Sequence, residues 1–261
     1  MGVSEMAQSL DVDRLEREVK AVYGSVAQAP DGEFHFEMGR PLAERLGYSP
    51  DDLDRIPADA IDSFAGVGYH FDLADLREGD HVLDLGSGSG TDVLVAALHV
   101  GETGSVTGLD MTAEQLEKSR RLRDEAGFKN VTFEEGYIED LPFEDGSFDV
   151  VISNGVINLS AQKDRVFEEI ARVLGPDGRL ALSDIVSESR MPDSIKSNAD
   201  LWAACIGGAE QVDDYESLIE TPGFDVTERR ENHHYEFTSD QAVNACQSYG
   251  VKSVSLVARK R

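Results

Sequence analysis

One short loop gathers the residues best suited to chemistry. The stretch "VLDLGSGSGTD" sets Asp84 ahead of glycines at 86, 88 and 90. Small residues let a ligand approach the backbone closely. A helix N-terminus following such a turn offers unpaired N–H groups and a positive dipole to a carboxylate. Asp84 can hold an ammonium group, directly or through water. The loop of Asp84, Gly86, Ser87, Gly88 and Gly90 therefore suits the zwitterionic amino-acid end of a cofactor. A dinucleotide fingerprint, G-x-G-x-x-G, would want its third glycine at position 91, where this chain has Thr91.

Three further stretches extend the pattern. In "GLDM", Asp110 lies twenty residues past Gly90, where a carboxylate can accept both ribose hydroxyls, and Met111 can pack on an adenine face. In "GYIEDLPF", the backbone near Ile138 and the carboxylate of Glu139 are placed to read an adenine edge. In "ISNGVINLS", Ser153, Asn154, Asn158 and Ser160 form an uncharged polar cluster around Gly155, with Asn154 ending a strand.

The elements that must hold these residues follow from periodicity. "DHVLDLG", "GSVTGLD", "VTFEEGYI", "FDVVISN" and "RLALSDI" read as strands. "TDVLVAALHVG", "TAEQLEKSRRLRDEAGF" with Thr112 as cap, and "KDRVFEEIARVLGPDG" ended by Gly-Pro read as helices between them. Alternating strands and helices predict an α/β fold with a parallel, doubly wound sheet. In such a sheet ligands bind at the carboxyl ends of strands. The organisation expected is an N-terminal helical and loop cap over 1–75, a core over 76–186, and a helical insert with two last strands over 187–261. Those strands, "FDVTERRENHHYEF" and "VKSVSLVARK", read as an antiparallel pair. In the cap, Leu15, Val19 and Val22 repeat at helical spacing after Asp11 or Asp13 as N-cap.

Composition bounds the rest. The 261 residues carry 51 acidic against 24 basic side chains, a net charge of −27. The charge is spread between the apolar stretches, as on a solvated surface adapted to high salt, and molar salt is expected to screen its self-repulsion. Nucleic acid is an unfavourable partner for such a surface. No apolar run approaches the ~18 residues that span a bilayer, and the first residues lack the basic start and apolar core of a secretory signal. Neither a membrane nor a nucleic-acid partner is expected. Two cysteines, Cys205 and Cys246, form no disulfide framework and fit a reducing cytoplasm.

Taken together, the strand-end residues resemble the S-adenosylmethionine-dependent methyltransferases of the Rossmann-like class, which implies a mostly parallel seven-stranded sheet with N-terminal and C-terminal helical additions. A narrower resemblance is to the arsenite methyltransferase family. It rests on "VLDLGSGSGTDV", "GLDMTAEQLE", "GYIEDLPF", "VVISNGVINLS" and "LWAACIGGAE", with "VYGSV" and "LGYSPDDLDRIP" upstream. The resemblance implies S-adenosyl-L-methionine as cofactor, a small-molecule acceptor, and Asn154 beside the sulfonium. Tyr23 of "VYGSV" would close over the site, and the insert with Trp202 and Cys205 would form the opposite wall.

That family typically has a cysteine where this chain has Gly155, and a second in the glycine-rich loop where "SFAGVGYHF" offers Val67 or its neighbours. Only the third, Cys205, is retained, and the resemblance makes it the catalytic candidate. Trivalent arsenic is soft and favours several sulfur ligands, so one thiolate is a poor cage. The acceptor is then a metalloid held by Cys205 with small thiols, or an organic molecule in the space left by Gly155 and Val67. A protein that binds the cofactor without turnover and a nicotinamide oxidoreductase are the rivals, with Thr91 against the latter. Cys246, His35 and His70 read as packing residues before ligands. His233 and His234, adjacent on an expected strand, would point to opposite faces.

Overall fold

The computed structural model describes residues 11–32, 34, 36–196, 202 and 206–261. Five apolar runs form the parallel half of one sheet: β1 His81–Leu85, β2 Ser105–Asp110, β3 Val131–Glu135, β4 Phe148–Asn154 and β5 Leu174–Ser187. A two-residue strand, β6 Glu210–Gln211, pairs with β5, and β7 Phe224–Glu231 and β8 Lys252–Lys260 complete the sheet. The main order is β3-β2-β1-β4-β5-β8-β7, parallel through β5 and antiparallel at β8 and β7. This is the expected mostly parallel, doubly wound arrangement, with seven strands in line and β6 as an addition. Chain direction across the sheet reverses between β1 and β4, the switch point at which such sheets bind ligands.

Before the sheet come α1 Val12–Gln28, α2 Arg40–Leu46, α3 Pro50–Leu53, α4 Ala58–Asp62 and α5 Phe71–Ala74. The crossovers use α6 Thr91–Val100, α7 Ala113–Ala126 and α8 Lys163–Val173. After β5 come α9 Asp193–Lys196, α10 Val212–Glu220 and α11 Asp240–Tyr249. Alternation along the strands feeds two cores. Val82, Val150 and Ile152 pack under the N-terminal helices and α6, whereas Leu83, Leu85, Val151 and Leu182 pack towards α8 and α10. No described helix is long and apolar enough to cross a membrane.

Several boundaries differ from the sequence reading. Helix α8 stops at Val173, and Gly175-Pro176 lies within the irregular start of β5, where Asp177 takes φ +59°. Strand β3 ends at Glu135, so Ile138 and Glu139 sit in the loop beyond it. Thr112 occupies the N-cap of α7, but its side chain makes no capping bond. Strand β7 ends at Glu231, so His233 and His234 lie in a turn and not on opposite faces of a strand. Helix α11, which carries Cys246, was not anticipated.

Candidate active site

A cleft of about 400 Å³ opens at the carboxyl ends of β1, β2 and β4, roofed by α1. Its walls include every sequence-derived cofactor candidate, namely Tyr23, Asp84, Gly86, Ser87, Gly88, Asp110, Met111, Ile138, Glu139 and Asn154, except Gly90. Gly90 lies just behind, as the N-cap of α6 at φ +94°, where a Cβ would stand 2.8 Å from the Phe133 ring. Gly86, at φ +70°, faces Val156 so closely that a Cβ would fall 2.4 Å from Cγ2. Both positions therefore require glycine.

The backbone of this loop is largely committed. The amides of Gly86 and Ser87 donate to the Leu109 carbonyl at 2.8 and 2.9 Å, Gly88 N–H to Asp110 Oδ2 at 2.8 Å, and Gly90 N–H to the Ser87 carbonyl at 2.9 Å. A ligand carboxylate must look instead to the first turn of α6. Thr91, which breaks the dinucleotide pattern, donates its hydroxyl to the Ala60 carbonyl at 2.9 Å and so ties α6 to α4.

Asp84 is 2% exposed and lines the cleft. Among the described residues no protein group donates to it and no Lys or Arg pairs with it. Burial, then the neighbouring charges of Asp92 and Asp110, push its carboxyl well above the usual range. Such a group is satisfied by a cationic donor arriving in the cleft. Asp110 differs: its oxygens accept from Gly88 N–H and Thr112 N–H, both at 2.8 Å. Burial raises it, while those amides pull it back. Asp110 also lines the cleft, where a ligand hydroxyl can reach it.

The polar cluster after β4 braces the site. Asn154 accepts from Val67 N–H at 2.8 Å, and its Nδ2 shares two hydrogens among the Tyr48 hydroxyl at 3.0 Å, the Gly68 carbonyl at 3.1 Å and Asp92 Oδ2 at 3.1 Å. Ser160 donates its hydroxyl to Glu139 at 2.5 Å, and Asn158 N–H donates to Asp184 at 2.9 Å. A Cβ on Gly155 would meet Val67 Cγ1 at 3.1 Å. Val67 is 1% exposed and belongs to an apolar cluster with Ile185 and Ile206. Val67 thus takes up part of the space expected beside Gly155, while Gly155 itself lines the cleft.

Tyr48, Asp92, Gln115 and Tyr137 were missed. Tyr48 donates its hydroxyl to Asp92 Oδ1 at 2.6 Å, and Gln115 Nε2 donates to the Tyr23 carbonyl at 2.8 Å. Asp92 sits within "GSGSGTD" and was legible as a second acid; Tyr48, forty-four positions earlier, gives no local signal. His70 is buried and stacked on Phe71 at 4.7 Å, with neither ring nitrogen hydrogen-bonded; burial pulls its pKa down. The thiol of half-buried Cys246 is pushed up by burial, which disfavours the thiolate. Cys205 and His35 lie outside the described residues. No group of three or more candidate metal ligands occurs among the described residues.

An arsenite methyltransferase of Halobacterium salinarum is 40% identical over 219 residues, 84% of this chain and 56% of that protein. One from Aquipseudomonas alcaligenes is 48% identical over 156 residues, 57% of this chain and 45% of that protein. The chain thus spans about half the length of these relatives. The crystal structure of an arsenic(III) S-adenosylmethionine methyltransferase from Chlamydomonas reinhardtii superposes with a TM-score of 0.64 at 35% identity, covering 86% of this chain and 74% of that one. The geranyl diphosphate C-methyltransferase of Streptomyces coelicolor shares the fold, with a TM-score of 0.69 at 16% identity. A family model described as a methyltransferase domain matches residues 76–223. The nicotinamide alternative finds no support in these matches. With more than half of its length matched by that model, the chain belongs to the methyltransferase domain family.

Proposed function

We propose that this chain binds S-adenosylmethionine in the cleft and transfers its methyl group to a small acceptor. The observation that carries this reading is Asp84, a buried carboxylate facing the cleft with no protein donor. A ligand ammonium supplies what it lacks. Asp110 faces the cleft for ribose hydroxyls, Met111 and Ile138 offer apolar faces to adenine, and Glu139 keeps the oxygen not bonded to Ser160 for its edge. Gly86, Ser87, Gly88 and Gly90 keep the loop slim, Tyr23 covers the cleft from α1, and Asn154 braces its floor. The bound cofactor supplies an electrophilic methyl carbon. The chain supplies alignment and exclusion of water.

In this reading residues 1–75 cap the cleft, 76–186 hold the cofactor, and 187–261 supply the acceptor side, including Cys205 as acceptor-binding thiolate. The relatives named arsenite methyltransferase favour a metalloid acceptor, with small thiols completing its coordination in place of cysteines at 155 and at Val67 or its neighbours. Gly155, which lines the cleft without a side chain, favours a second reading, a small organic acceptor. The acidic surface is read as halophilic and the setting as cytoplasmic.

The test is turnover of methyl-labelled S-adenosylmethionine in high salt with excess thiol, with and without arsenite. Label in methylated arsenic, lost in Cys205→Ser, supports the metalloid reading. Cofactor binding without arsenite-dependent transfer supports the organic one.

A further inference from the structure

Asp84 is not the only acid at the cleft without a cationic partner. Asp92, in the first turn of α6, is 6% exposed and also lines it. It accepts from the Tyr48 hydroxyl at 2.6 Å on Oδ1 and from Asn154 Nδ2 at 3.1 Å on Oδ2. These donors are neutral. They fix the carboxylate's orientation and leave its charge uncancelled. Tyr48 is 2% exposed, so water adds little screening from that side. No Lys or Arg pairs with Asp92 among the described residues, and burial disfavours the charged form of nearby His70. Asp92 is close enough to act on Asp84. Two like charges beside one cleft repel, and positive charge within it relieves both.

Resting on the cofactor reading above, we propose that Asp92 is the residue that tunes the cleft to the sulfonium charge, with Tyr48 as its positioning residue. S-adenosylmethionine carries two cationic groups, an ammonium and a sulfonium. Its demethylated product, a neutral thioether, keeps only the ammonium. Asp84 answers the charge common to both ligands, and Asp92 the charge lost on transfer. The cleft thereby favours substrate over product.

The experiment is calorimetric titration of the full chain, at one fixed salt concentration, with S-adenosylmethionine and with S-adenosylhomocysteine. Asp92→Asn keeps shape and removes charge. It is expected to weaken S-adenosylmethionine by about tenfold or more and S-adenosylhomocysteine by less than about threefold. Tyr48→Phe keeps the ring and is expected to move the ratio the same way by a smaller factor; this variant decides the matter should Asp92→Asn fail to fold. Equal weakening of both ligands overturns the proposal and leaves Asp92 a purely structural role. A wild-type protein that binds neither ligand overturns the cofactor reading and this proposal with it.

Discussion

Asp184 shows how a single side chain can serve the site from behind. It lies on β5, 1% exposed, and accepts from the Tyr215 hydroxyl at 2.6 Å and from the amides of Asn158 and Ile185, each at 2.9 Å. Burial raises its pKa from 3.8 to about 6 against the pull of those donors. A carboxyl raised in the folded state binds its proton more tightly there than in the unfolded chain. It therefore favours folding below about pH 4 and costs stability as pH climbs from about 4 to 6. The shift corresponds to roughly 3 kcal/mol at most. Denaturant unfolding of wild type and Asp184→Asn between pH 4 and 7 should show the wild type losing stability relative to the variant across that window. A constant difference would contradict the assignment. Nearby Lys163, whose Nζ donates to the Ser160 carbonyl at 2.7 Å and lies 4.8 Å from the Trp202 ring, is pulled down to about 8 by burial. At this scale the loop acids Asp84 and Asp110 were legible, because the glycine spacing announces a turn and acids at strand ends face it. Asp92 was readable as an acid, but its partner Tyr48 was not, because contact between positions 48 and 92 depends on how the cap folds back. The same holds for Val67 against Gly155: each was singled out, and only the fold shows that one takes up part of the other's space.

At the scale of elements, α1 is the roof. Its N-cap is orthodox, Asp11 accepting from Arg14 N–H at 3.0 Å, and Leu15 and Val19 pack with Trp202. Over the cleft mouth Lys20 donates to the Tyr137 hydroxyl at 2.7 Å, that hydroxyl donates to Glu16 at 2.8 Å, and Lys20 pairs with Glu16 at 2.8 Å. These groups are exposed, so the strap is worth about 1 kcal/mol or less. Tyr137→Phe should leave global stability nearly unchanged and raise the cofactor's dissociation rate by roughly fivefold, the kinetic equivalent of that energy. Stopped-flow displacement checks it, and an unchanged rate would show that α1 is held by its apolar face alone. The main strands and the crossover helices were legible from period alone. What escaped was helix α11, the short strand β6 and several element ends: α8 stops before Gly175, and β7 stops before His233, because sheet pairing and tertiary packing set termini more than local residues do.

For the whole molecule, the net charge of −27 sets conditions more than fold. Most ion pairs are exposed and weak, so self-repulsion between unpaired acids is the larger electrostatic effect. Raising potassium chloride from 0.1 to 1 M shortens the screening length from about 10 Å to about 3 Å. Thermal melting should rise by about 5 °C or more over that range; a flat response would mean that the acids are already neutralised pairwise. Whether the cleft is a cofactor site anchored on Asp84 is decided by titrating the protein in high salt with S-adenosylmethionine, beside Asp84→Asn. One site is expected in the wild type, weakened about tenfold or more in the variant through loss of a charge-assisted bond. Equal affinity in the two proteins, or no binding to the wild type, would contradict it.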